Sequence, residues 1–176
     1  MRRNLSIAVS GLAEPATVTV DPTEKDLTDG RMRALLGAWR SARFKHGRLP
    51  SRAELGLGLL ESIRNHLIDI DVLPGDDFRF RTYGSAIASA FGRNMTGRRV
   101  SELPPSDAQF IVAVYKLAKT ERVPCVTRHR PSKGVLVEHW LRLVLPLDDE
   151  RAGRVTVFLS LNVPVDPNMF ASLMPR

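Results

Sequence analysis

The sequence predicts an α+β domain: a five-stranded antiparallel sheet with short helices and one longer helix on one side, plus an N-terminal amphipathic helix. Two observations point to it. Apolar residues alternate at period two in a pair of segments on either side of residue 75 and in three more segments after residue 122. Apolar residues recur at three-to-four spacing over residues 28–44 and 107–120, as they do on the buried stripe of a helix.

Residues 1–27 contain Gly11, Pro15 and Pro22 and one short alternating piece around Val18 and Val20, which reads as a loosely ordered arm with at most one edge strand. A single domain spans 28–161. Its first helix can be capped by Thr28 or Asp29, carries Met32, Leu35, Leu36 and Trp39 on one face, and exits at Lys45-His46-Gly47. Ser51 and Glu54 have the spacing of a capping box ahead of a short helix over about 57–64. The segment from Leu67 to Leu73 sets Ile68, Ile70 and Val72 against Asp69 and Asp71. Pro74-Gly75-Asp76-Asp77 turns the chain, and residues 78–83 return as the second strand of a hairpin. Gly92, Asn94, Gly97 and Pro104-Pro105 break residues 84–105 into short pieces. The longer helix follows over 107–120, then strands over about 123–130, 135–146 and 154–161, and an irregular tail over 162–176.

Several landmarks stand along this framework: Trp39, Gly47-Arg48-Leu49-Pro50-Ser51-Arg52, Leu67-Ile68-Asp69-Ile70-Asp71, Phe78-Arg79-Phe80-Arg81-Thr82-Tyr83-Gly84-Ser85, Gly92-Arg93-Asn94-Met95-Thr96-Gly97, Ser101-Glu102-Leu103 and Arg142-Leu143-Val144-Leu145-Pro146-Leu147. In their order and spacing they resemble the PAS superfamily, and within it bacterial stand-alone single-domain PAS proteins of uncharacterised function. The resemblance runs from about Asp29 to Leu161, and its most specific part is the strand ending in Gly84-Ser85 followed by the segment from Gly92 to Gly97. It implies a sheet interrupted after its second strand by short helices and one longer helix. It also implies a sensory or protein-interaction role, with or without a small ligand, whose output passes through a separate signalling partner. It assigns no chemistry, because fold does not fix function.

The formal charge is +7, from 26 basic and 19 acidic side chains, with the basic ones spread along the chain. Their densest stretch lies between Arg31 and Arg52, and Arg31, Arg33, Arg40, Arg43, Lys45 and Arg48 form the candidate anion-binding set. An alternative reading is therefore a basic protein that binds nucleic acid or an anionic surface through this region. The sequence holds no recognised reading motif and no stacking aromatics around that charge, so nucleic acid is not the expected partner. Cys125 is the single cysteine, which excludes an intrachain disulfide and a thiolate metal cluster. The apolar run after Met1-Arg2-Arg3 is too short for export, and no run has bilayer length, so a cytoplasmic protein without membrane insertion is expected.

No nucleophile elbow, phosphate-binding loop, zincin pair or set of paired carboxylates is present, and the chain is not expected to be an enzyme. His46, His66, His129 and His139 lack metal-ligand spacing, and Cys125 lacks both a haem-attachment motif and a flavin-binding context. No metal is expected, haem and flavin are disfavoured, and any other cofactor is left unknown. The candidate ligand pocket lies between the inner sheet face and the middle helices, with Phe78, Phe80, Arg81, Phe91, Met95, Phe110, Val114 and Trp140 as its lining. The same side chains could simply be core. Arg81 either clamps an anionic ligand or pairs with Asp69 or Asp71 across the hairpin, and the hairpin pairing is preferred. Met32, Leu35, Leu36 and Trp39 either cover the second sheet face or join two chains, and a homodimer is expected from them.

Overall fold

A computed structural model describes residues 1–12, 14–131 and 137–165. The elements are β1 (Arg3–Ile7), β2 (Ala16–Val20), α1 (Gly30–His46), α2 (Leu57–Ile63), β3 (Leu67–Val72), β4 (Phe78–Tyr83), α3 (Ser85–Phe91), α4 (Pro105–Glu121), β5 (Cys125–His129), β6 (His139–Leu147) and β7 (Val157–Val165). The expected strand start at Val135 and the tail beyond Val165 lie outside the described residues.

The sheet has seven strands rather than the expected five, all antiparallel, in the order β1-β2-β5-β6-β7-β3-β4. Both additional strands come from the segment read as a loose arm. The physical reason is the free edge of β5. Val18 pairs with Thr127 and Val20 with Cys125, which buries both valines to 1% exposure and satisfies the edge amides. β1 then pairs along β2 from Arg3↔Val20 to Ile7↔Ala16.

Alternation along the central strands builds two buried faces. On one side α4 lays Phe110, Val114 and Tyr115 against β4, β5 and β7, with Tyr115 stacked on Phe158 at 5.1 Å and edge-on to Phe78 at 5.1 Å. On the other side Leu143, Leu145, Leu147, Leu159 and Leu161 are fully buried beneath α1. The helices thus occupy both sides of the sheet, with α1 on the second face, one of the two roles expected of its apolar stripe.

α1 starts where the Asp29 carboxylate accepts from the amides of Arg31 at 2.8 Å and Met32 at 3.3 Å. It stops at Gly47, whose φ of 64° closes the helix in the left-handed region. Met32, Leu35 and Leu36 are 0% exposed and Trp39 is 3% exposed, and the Trp39 indole donates to the Pro146 carbonyl at 2.9 Å. These four residues are therefore spent in the chain's own core. They offer no dimer surface, because the leucine face of the sheet already needs them as cover.

The entry to α3 depends on a close approach. The Gly84 amide donates to the Leu67 carbonyl at 2.9 Å, and a Cβ at Gly84 would stand 2.3 Å from the Asn65 carbonyl oxygen. That contact is with backbone, so no rotamer relieves it. Gly84→Ala is expected to destabilise the protein by about 1–3 kcal/mol in urea unfolding, from forced overpacking. An unchanged midpoint would show that the α3 entry is not under this constraint.

A candidate ligand pocket on the inner sheet face

β6 carries Trp140 and Arg142 on the side that faces α3 and α4. Pairing fixes their neighbours: Trp140 lies opposite His129, and Arg142 lies between Thr127 on β5 and Asn162 on β7. The first turn of α4 adds Asp107, and its next turns add Ile111 and Tyr115. Phe80 and Tyr83 at the end of β4, with Ile87 and Phe91 of α3, close the far wall. Phe80 and Tyr83 meet edge-on at 5.4 Å, and Tyr83 leans on Phe91 at 6.4 Å. The partly open cavity measures about 20 Å³, room for about one water.

The polar groups on this wall are poorly matched. Arg142 is 6% exposed, and its Nε and Nη1 atoms are buried with no hydrogen-bond partner. Thr127 Oγ1 and His129 Nδ1 are buried and unpartnered as well. Among the described residues no carboxylate forms an ion pair with Arg142. A guanidinium cannot shed its charge by deprotonation, so the charge stays in a low-dielectric site. Burying an ion costs several kcal/mol even after relaxation.

The titratable neighbours respond to the same environment. Burial, then the neighbouring Arg142 and His139, pushes His129 well below its ordinary value of 6.5 and leaves the ring neutral, although Asp107 Oδ1 lies 3.9 Å from its Nε2. Burial holds the Tyr83 and Tyr115 hydroxyls protonated. Burial also pushes the Cys125 thiol up to about 12, so it is an inert core group and no nucleophile.

Of the side chains expected in the pocket, Phe80, Phe91 and Trp140 line the cavity. Phe78, Met95, Phe110 and Val114 are 0% exposed and belong to the packed core around it. Arg81 stands on the opposite sheet face, a correction with a simple cause: it follows Phe80 by one residue, and alternation turns it away. There it binds Asp71 at 2.6 Å and approaches Asp149 at 3.6 Å. The sequence reading missed Arg142, Thr127, Asn162, Tyr83 and Asp107. Arg142 was detectable, since alternation places it in phase with Trp140 and Val144 on a strand flanked by apolar residues.

The basic helix does not form a convergent cationic surface. Arg31 pairs with Asp29 at 2.7 Å, Arg33 donates to the Leu27 carbonyl at 2.8 Å, and Arg40 pairs with Asp21 at 3.1 Å. Arg43 lies 5.3 Å over the Trp39 ring, Arg48 pairs with Glu54 at 2.6 Å, and Lys45 is exposed. Among the described residues no helix is long and apolar enough to cross a membrane, and no cluster of three or more His, Cys, Asp or Glu could hold a metal.

Comparison with known proteins gives a family and a set of distant structures. A family model described as PAS domain matches residues 28–160. None of the curated proteins matches the chain. Similar solved structures include a domain of an HTR-like protein from Haloarcula marismortui ATCC 43049, at 12% identity and TM-score 0.45, covering 57% of this chain and 96% of that one. The dark structure of the blue-light photoreceptor Aureochrome1 LOV matches at 18% identity and TM-score 0.45, over 65% of this chain and 84% of that one. An RNA-binding light-oxygen-voltage receptor matches at 18% identity and TM-score 0.45, over 66% of this chain and 38% of its own. These likenesses are too remote to transfer a ligand or an activity.

The buried neutral His129 makes stability pH-dependent. Below 6.5 the unfolded chain takes up a proton that the folded ring refuses, so stability falls as pH drops through that value. His129→Gln is expected to flatten the thermal-midpoint profile between pH 7.5 and 5.5, leaving the smaller slope due to His66, which burial also pushes down. A profile identical to the parent would place a charged His129 in the folded protein.

Proposed function

The chain belongs to the PAS domain family, and on that premise we propose that it takes a small ligand into the pocket between the sheet and α3 and α4 and signals through a separate protein. The reading is of a sensory module without catalysis of its own, in keeping with that family match. One observation supports ligand sensing above simple core packing. Arg142, Thr127 and His129 present unpartnered polar atoms at one buried wall, and a wall built only for stability would pair them or replace them with apolar groups.

The size of the cavity favours a small ligand. At about 20 Å³ it holds about one water, so an organic occupant enters only as a wall of the pocket moves. The wall best able to give way is α3, in which Ile87 is the one fully buried residue and which runs from the tightly seated Gly84 to Gly92 at φ 82°. A short helix with so little buried surface opens at low cost, as elements around binding sites commonly do. Displacement of α3 by an occupant would change the surface offered to a partner.

Protein purified untagged from cells should show, by native mass spectrometry, an added mass that disappears on denaturation. Titration of small metabolites should also move the methyl resonances of Ile87 and Ile111. A clean protein mass, together with methyl resonances that no added compound moves, would reduce the pocket to ordinary core.

A further inference from the structure

Resting on the ligand-sensing reading, we propose that the ligand is a small organic monocarboxylate, held by Arg142 with its apolar body among Phe80, Phe91 and Trp140. Charge, donor geometry and surroundings each narrow the class. Arg142 brings one fixed positive charge to the wall, and its Nε and Nη1 donors are unpartnered there. A water in the cavity could accept from those donors but would leave the charge uncompensated. An anion does both, and the planar donor array of a guanidinium matches the two oxygens of a carboxylate.

The count of charges separates a carboxylate from a phosphate. A phosphate monoester carries about −1.5 to −2 near neutral pH. Among the described residues, Arg142 is the one basic side chain on the pocket wall that keeps a positive charge, since burial holds His129 neutral. Asp107 lines the same pocket with a partner of its own, and its carboxylate weighs against an occupant that carries a second negative charge. Thr127 on β5 is paired with Arg142 behind the lining side chains, and its buried unpartnered hydroxyl lies beside the guanidinium that would hold the carboxylate. His129 Nδ1 supplies a further unpartnered polar atom on the same strand. Beyond these groups the wall is aromatic and aliphatic, so the rest of the ligand is apolar and adds no second charge.

Calorimetric titration of the full chain with acetate, benzoate, their uncharged amides and inorganic phosphate tests this. At least one carboxylate should bind ten-fold or more tightly than its own amide and than phosphate. Arg142→Met should weaken that binding at least ten-fold while leaving the far-ultraviolet spectrum unchanged, because it replaces an unpaired buried charge with an apolar chain. Should that variant fail to fold, Thr127→Val, which keeps the shape of the side chain, should still weaken the carboxylate by several-fold and leave the amide unaffected. Equal binding of an acid and its amide would keep the pocket as a ligand site and overturn the carboxylate. Preference for phosphate, or carboxylate binding indifferent to both substitutions, would overturn it as well. Absence of binding by any probe would overturn it, and the ligand-sensing reading would fall with it only if the purified protein also carried no added mass.

Discussion

A strand buried on both faces must find an apolar or partnered neighbour for every side chain, and the organisation of this domain follows from how β6 meets that demand. One phase of the strand supplies Leu143, Leu145 and Leu147, each 0% exposed, on the face opposite α4, and α1 covers them there. Each fully buried leucine is worth about 1.5–3 kcal/mol relative to exposure. The Trp39 indole on the Pro146 carbonyl then anchors the helix to the end of the same strand. The other phase supplies Trp140, Arg142 and Val144 to α4. The apolar phase stabilises the fold enough to tolerate a costly charge in the polar one.

That division explains which features were legible in the sequence. β3, β4, β6, β7, α1 and α4 announce themselves because the apolar residues in each recur at one period, as in Ile68 and Ile70 against Asp69 and Asp71. β1 gives no such signal. Arg3, Asn4, Leu5 and Ser6 are all exposed along the outer edge, so nothing in their order separates strand from coil. Its pairing with β2 depends on β5, more than a hundred residues away in the chain, through Val18↔Thr127. Long-range pairing of this kind leaves no local trace. Phe80, Phe91 and Trp140 were recognisable as pocket wall from type and position. The cavity itself was not, because space between side chains depends on packing from several elements at once.

The same reasoning separates the arginines of this basic chain into two physical kinds. Arg79 and Arg81 flank Asp71 at 2.8 and 2.6 Å on the outer face, but both are roughly half exposed. Pairs of that sort contribute about 0–1 kcal/mol each, since water screens the attraction and ordering the side chains costs entropy. Arg40 with Asp21 and Arg48 with Glu54 belong to the same class, partly exposed and locally satisfied. Together they hold turns in place and add little net charge, four arginines against three carboxylates.

Arg142 is the opposite case, and its value lies in what it lacks. A buried charge with its full set of partners says little, since removing one partner destabilises strongly while replacing the whole set with apolar groups is often neutral. A buried charge whose donors face a cavity imposes a standing cost on the folded state. Any occupant that supplies the missing negative charge recovers part of that cost as binding energy, and an isosteric neutral occupant does not. On the proposed reading, selectivity by charge follows from the placement of Arg142 alone. The side chain most informative about function is the one that local pairing leaves unfinished, on the strand that everything else in the domain is arranged to bury.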